Sequence, residues 1–293
     1  VAAIKGASLV GLDCETTGLD ARRDRLRLLQ VAVEGRPPFV VDCFAIDPAP
    51  LFDVLARVEL VGHNLAFDLS FLTILGFRPR RPIHDTMLLA QLLAAGASDR
   101  CGLADCCARE LGIVLDKAGQ KADWGGELSA EQLAYSAKDA AVLLPLYSAL
   151  TARIDKAGLA ETARIEERCL PALVWMGKHG VGFDRAAWEA LADAAEKEAE
   201  RLQRKLNRRA AARADGALWN WRSPKQVREV FSALGIDLTS TAVEALAAVD
   251  HPIARLLRRH RAASKQASTY GRAWLKHVDD DGRVRCDWRQ LGA

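Results

Sequence analysis

The sequence has no apolar run approaching the ~20 residues that a membrane-spanning helix requires, so a helical membrane protein is excluded. No basic-then-apolar leader opens it, and the expectation is a cytoplasmic protein that does not engage membranes. Its seven cysteines are odd in number and contain no CxxC pair, which argues against a disulfide framework. Cys101, Cys106 and Cys107 cluster without a second ligand pair, so structural zinc is not expected and reduced thiols are. No internal repeat or low-complexity tract is present. What is present is an apolar fraction of 50% beside 27% charged side chains, enough surface to bury on folding and too much for a disordered chain. At 293 residues the chain is long enough for two domains.

The net charge of +3 hides an asymmetry. Residues 1–160 carry a net −3 and residues 161–293 a net +6. An acidic half followed by a basic half suits a metal-binding region joined to a polyanion-holding one, although drift of surface charge explains it equally well. The division predicts domains at 1–160 and 161–293. The first residue is Val1, and the sequence stops at Ala293 just after a strand-like run, as expected of a fragment.

The first 60 residues read as strands over Ser8–Glu15, Leu26–Glu34 and Phe39–Phe44, each followed by turn formers. A short helix is expected over Ala49–Arg57. A further strand in ELVGHN then leads into a helix over LAFDLSFLTIL. Helices dominate afterwards, at Asp85–Ala95 with Asp85-Thr86 as N-cap, at Leu103–Leu111 and at Ala130–Ala157. This order predicts an α/β domain, a mixed sheet flanked by helices. The rest reads as mostly α: Ile165–His179, Arg185–Arg213, Ser223–Gly235 opened by an N-cap serine and an N1 proline, Thr241–Val249 and Pro252–His277. A hairpin-like stretch, DDDGRVRCDW, comes last.

Four acids in three short segments carry the chemistry. Asp13 and Glu15 lie two apart in a strand and therefore point the same way. Asn64 and Asp68, and again Tyr135 and Asp139, lie four apart and share a helix face. Taken singly, each pair is more often a solvated edge or an ordinary surface helix. Asp13 nevertheless sits in an apolar strand and Asp68 among Phe67, Leu69 and Phe71, contexts in which full exposure is unnatural. Converging carboxylates raise one another's pKa values unless a cation neutralises them. Oxygen-only ligands suit Mg²⁺ or Mn²⁺, and two such ions stabilise both the attacking and the leaving oxygen of phosphoryl transfer.

In this order, DCETTGL, HNLAFD and YSAKD resemble the three motifs of the DEDD 3′–5′ exonuclease superfamily, in its tyrosine subclass, over about residues 5–157. The resemblance implies an RNase H-like fold and two divalent metal ions. It implies that Asp13 bridges both ions, that Glu15 and Asp139 hold the nucleophile-side ion, and that Asp68 serves the other through water. It makes Tyr135 the residue that orients the attacking water and Asn64 a holder of the terminal nucleotide. Thr16, Thr17 and Leu19 match the stretch that receives the 3′-terminal nucleotide, with Leu19 as an apolar wedge; an ordinary buried leucine is the alternative. His63 is a neighbour of the site and not its base.

The second half resembles family A DNA polymerases of the bacterial polymerase I type. ERCLPALVWMGKHGVGFDRAAWEAL matches the passage from exonuclease to thumb, NWRSPKQVREVFSALGI the thumb motif, and SKQASTYGRAWLKHVDDDGRVRCDWRQLGA the passage toward the palm. By resemblance Ser223, Lys225 and Gln226 lie near the DNA backbone. Fingers and most of the palm are expected beyond Ala293, so polymerase activity is expected only of a longer parent. The basic runs Arg201–Arg213 and Arg255–Lys265 would suit phosphate neutralisation, or would be solvated helix faces. Trp219 and Trp221 read as packing residues.

The reading is thus a proofreading 3′–5′ exonuclease joined to the start of a thumb, a monomer that holds a single-stranded DNA 3′ end in one region and duplex along the other. The alternatives are an RNA-trimming exonuclease of the same superfamily and a nucleic-acid-binding module without activity.

Overall fold

The computed structural model describes residues 1–97, 99–116 and 122–291. The chain forms two compact units, one of Val1–His179 joined by the described residues from Cys286 onward, the other of Gly180–Arg285. No described helix is long and apolar enough to cross a membrane.

The first unit is built on β1 (Leu9–Thr16), β2 (Leu26–Ala32), β3 (Phe39–Asp42), β4 (Glu59–Gly62) and β5 (Ile83–Asp85), in the spatial order β3-β2-β1-β4-β5. β1 is central. It pairs antiparallel with β2 and parallel with β4, while β3 pairs antiparallel with β2 and β5 parallel with β4. Antiparallel neighbours need only turns, such as the one after Glu34, whereas the parallel ones need crossovers. Those crossovers are helical: α2 (Ala49–Leu55) precedes β4, and α3 (Leu65–Ile74) joins β4 to β5. A short α1 (Ala2–Lys5) leads into β1, and α4 (Thr86–Leu93), α5 (Leu103–Leu111), α6 (Ala130–Ala141), α7 (Leu143–Lys156) and α8 (Ala160–His179) complete the unit.

Alternation along β1 divides the roles of its two faces. Val10, Leu12 and Cys14 are buried against Leu65, Leu69 and Leu72 of α3. Gly11, Asp13 and Glu15 face α6 and the start of α7. A methyl group on Gly11 would lie 3.1 Å from Ala32 Cβ, 3.3 Å from Leu143 Cβ and 3.4 Å from the Ala140 carbonyl oxygen, so the helix pair sits directly on the β1 backbone there.

The expected mixed sheet flanked by helices is the fold found, with several local differences. β5 is unanticipated, because its three residues are too few to show alternation and end on the Asp85 N-cap. The helix expected over Ala130–Ala157 is two helices that meet at Val142. Pro145 cannot donate to a carbonyl one turn back and is accommodated where a first turn has no such bond to make. The helix from Ala160 packs with α3, and the first compact unit runs on to His179.

In the second unit the expected Arg185–Arg213 helix is α9 (Arg185–Arg209), and the Ser223–Gly235 helix is α10 (Pro224–Ala233). A short α11 (Val243–Ala247) follows, then α12 (Pro252–Thr269), which stops before Gly271 and gives way to a 3-10 turn over Arg272–His277. α12 lies along α9. Their core takes in Leu206, Trp221, Val227, Phe231, Ile253 and Leu257. The expected terminal hairpin is a turn at Asp279–Gly282, whose returning strand, β7 (Arg283–Val284), pairs with β6 (Val181–Gly182) at the start of the unit.

Candidate active site

Asp13 and Glu15 emerge on one face of β1, and a register shift between Glu15 and Thr16 ends the ladder immediately beyond them. α6 crosses this face. Its start is fixed by reciprocal capping: Ser129 Oγ accepts from the Gln132 amide and Gln132 Oε1 accepts from the Ser129 amide. From that start Tyr135 and Asp139, one turn apart, both reach the acids of β1. One oxygen each of Asp13, Glu15 and Asp139 lies within 4.8 Å of the others. Tyr135 and Asp139 are close enough to shift each other's proton affinity, the phenol lowering that of the carboxyl. Asp68, 3% exposed, comes from α3 and lies within electrostatic reach of Asp13 and of the Cys14 thiol.

The electrostatics follow from burial and like charge. Burial first, and Asp139 second, push Asp13 up to about 7. Burial together with Asp13 and Asp139 pushes Glu15 up to about 9. Asp139 rises to about 6, burial outweighing the Tyr135 hydrogen bond. Burial and the Asp13 charge hold Asp68 well above the usual carboxylate range, and burial and Asp139 hold Tyr135 well above the usual phenol range. Burial depresses His63 to about 4, so its ring is neutral, and its Nδ1 lies 2.9 Å from Thr86 Oγ1. Among the described residues no Lys or Arg stabilises the charged forms of Asp13, Glu15 or Asp139. An oxygen-only cluster without an internal counter-charge is the donor set a hard divalent cation takes.

The residues expected to face a nucleotide follow β1 and open α3. Thr16 Oγ1 donates to the Gly18 carbonyl at 2.6 Å, and Thr17 Oγ1 accepts from the Arg25 amide at 2.9 Å. These bonds organise the turn that lifts Leu19 out to 86% exposure, so Leu19 is not a buried core leucine. Leu19 and the exposed Asn64 line one cavity of about 650 Å³ with Phe67, Met87 and Gln91. Ser223, Lys225 and Gln226 lie in the second unit at the start of α10. There Ser223 caps the helix and Gln226 Oε1 accepts from the Asn220 amide, while Lys225 is exposed. Trp221 is buried with its Nε1 donating to Asn207, as expected of a packing residue. Several residues of the basic runs are ion-paired, Arg201 and Arg259 with Glu198 and Arg204 with Glu200.

Two residues near the site escape a reading of the sequence. Gln30 lies directly across from Asp13 in the β1–β2 ladder, is fully buried, and has neither amide atom hydrogen-bonded. Paired residues of an antiparallel ladder share a face, so an unpaired carboxamide stands beside the acid cluster. It is embedded in the apolar run LRLLQVAVE, and only its polarity there could have signalled it. Asp85 was legible as the N-cap of α4 alone. Its carboxylate also accepts from the Asn64 amide at 3.0 Å and the Leu65 amide at 2.7 Å, contacts that span 20 residues or more and leave no local trace.

Comparison with known proteins agrees with this geometry. DNA polymerase I of Aquifex aeolicus (strain VF5) is 39% identical over 138 residues, 46% of this chain and 22% of that protein. Ribonuclease D of Haemophilus influenzae (strain ATCC 51907 / DSM 11121 / KW20 / Rd) is 32% identical over 178 residues, 55% of this chain and 44% of that protein. The chain therefore spans less than half the length of these relatives. Among solved structures, Brucella melitensis NrnC bound to pGG superposes with a TM-score of 0.55 at 28% identity, over 60% of this chain and 87% of that one. The POL domain of Pol1 from M. smegmatis, in complex with DNA primer-template and dNTP, superposes with a TM-score of 0.75 over the whole chain and 51% of its own, and at 20% identity it speaks to fold alone. Residues 1–155, more than half of the chain, match the family described as 3′–5′ exonuclease, and the chain belongs to that family.

Proposed function

We propose that the first unit hydrolyses the 3′-terminal phosphodiester of DNA and releases nucleoside monophosphates, with two divalent ions, Mg²⁺ or Mn²⁺, held by Asp13, Glu15, Asp68 and Asp139. The observation that carries this reading is the convergence of Asp13, Glu15 and Asp139 within 4.8 Å, with no basic side chain among the described residues to neutralise them. Bound there, the ions supply charge stabilisation at the attacking and departing oxygens. Tyr135, one turn before Asp139 on the same face of α6 and within electrostatic reach of Asp13 and Glu15, orients the attacking water through its hydroxyl. In the metal-free site, burial and the neighbouring acids keep Tyr135 a neutral phenol. Leu19 and Asn64, on one cavity wall, wedge and hold the terminal nucleotide. Mispaired ends are preferred because they are already partly unpaired. In this reading the chain acts as a monomer, and the second unit, net basic, grips duplex near Ser223 and Lys225.

RNA is the second reading, favoured by the match to ribonuclease D. The test is hydrolysis of single-stranded DNA and RNA oligonucleotides of one sequence, labelled at the 5′ end. DNA shortened stepwise from its 3′ end with Mg²⁺ or Mn²⁺, and left intact in EDTA or with Asp13→Ala, is the expected result. Shortening of RNA alone would replace the substrate, and shortening of neither would leave a binding module.

A further inference from the structure

Asn64 occupies an unusual position at the head of α3. It is the sole described non-glycine residue with a positive φ, at φ 62 and ψ 44, in the left-handed region. As the N-cap residue, an asparagine ordinarily turns its side chain onto the first free amides of its own helix. Here the Asn64 side chain makes no such bond. The amides of Asn64 and Leu65, which open the helix, are taken by the two oxygens of Asp85, at 3.0 and 2.7 Å. The same carboxylate caps α4 through the Met87 amide at 2.8 Å and the Leu88 amide at 3.4 Å. Asp85 is 1% exposed, so these charge-assisted bonds are shielded from water. Thr86 extends the grip backward. Its Oγ1 donates to the Gly62 carbonyl at 3.0 Å and lies 2.9 Å from His63 Nδ1.

One buried carboxylate therefore ties the head of α3 to the head of α4, and through the Asn64 and Leu65 amides it holds Asn64 in the left-handed conformation in which its side chain does not cap its own helix. The consequence is chemical: the Asn64 side chain is not spent on its own helix, and Asn64 lines the cavity that also takes in Leu19. We infer that Asp85, backed by Thr86, is a positioning residue for the exonuclease reaction, acting through Asn64 on the 3′-terminal nucleotide. This rests on the exonuclease reading above.

The full chain is assayed on single-stranded DNA at saturating Mn²⁺, as wild type, Asp85→Asn, Asn64→Ala and the double variant, with KM and kcat measured separately. Asp85→Asn offers one acceptor oxygen and no charge where four amides converge. It is expected to raise KM about tenfold, the effect of weakening charge-assisted bonds, with a smaller change in kcat. In the Asn64→Ala background the same substitution should change KM by less than about twofold, since both act through one side chain. An equal KM effect in both backgrounds, or a fall in kcat with KM intact, would overturn the inference. Should Asp85→Asn melt at the assay temperature, Thr86→Val is used, with a smaller rise in KM that again requires Asn64. A wild-type chain without hydrolysis defeats the exonuclease reading itself, whereas an active wild type with Asn64→Ala at unaltered KM defeats only this inference.

Discussion

Replacing Asp13 with asparagine should make the metal-free protein more stable while abolishing hydrolysis. The Asp13 carboxyl moves from an ordinary 3.8 to about 7 in the fold, through burial and the Asp139 charge. A carboxyl whose folded pKa is raised binds protons more tightly folded than unfolded, so stability is full below the unfolded value and is lost as pH climbs through the folded one. The window is therefore roughly pH 4 to 7, with Glu15, at about 9, extending it upward. At ~1.4 kcal/mol per tenfold change in proton affinity, Asp13 acting alone would remove about 4 kcal/mol by pH 8. On a unit of this size that is roughly 10 °C in melting temperature. Calorimetry in EDTA, from pH 5 to 8, on wild type and Asp13→Asn, measures the difference. Asp13→Asn should gain steadily on wild type as pH rises and lose the advantage with saturating Mg²⁺, because an ion that binds only the folded form stabilises the intact cluster. A difference that is flat across the pH range, or an asparagine variant that is the less stable at pH 8 without metal, would refute the like-charge argument.

Three other outcomes follow from named contacts. Tyr135→Phe removes the hydroxyl beside Asp139, so kcat should fall roughly 10²-fold while KM for single-stranded DNA holds; an unchanged kcat would remove Tyr135 from water positioning. Leu19→Ala trims a side chain that is 86% exposed, so the melting temperature should stay put while KM rises roughly fivefold from the lost apolar contact; a drop in melting temperature with unchanged KM would count against the wedge. Gln30→Met exchanges an unpaired buried amide for an apolar group of similar length and should raise metal-free stability by about 1 kcal/mol in denaturant titration; destabilisation would mean that the amide is bonded in solution.

What could be read from the sequence was whatever local periodicity records. The strand alternation of Ser8–Glu15 put Asp13 and Glu15 on one face, and the four-residue spacings put Asn64 with Asp68 and Tyr135 with Asp139. Asp13, Glu15 and Asp139 meet near the end of β1 in the folded chain, with Tyr135 and Asp68 in electrostatic reach. Illegible were the features that depend on distant backbone. Asp85 shows its role on α4 locally, but its hold on Asn64 exists only because β4 and β5 run side by side. Gln30 becomes meaningful only through the register that sets it across from Asp13. β5 is too short for alternation, and the break at Val142 hinges on a proline three residues later that also suits an uninterrupted helix start.

The bare backbone at Gly11 acts as a shim of zero thickness. Because nothing projects there, the Ala140–Leu143 junction settles onto the strand, and the acid that immediately precedes it drops into range of its two partners below. An alanine in that slot would wedge the layers apart by a fraction of a bond length and leave every reactive group chemically intact. The cutting rate could thus be dialled down by degrees from a position that touches neither ion nor nucleotide, and a slow enzyme of that kind would hold its substrate long enough to be caught in the act.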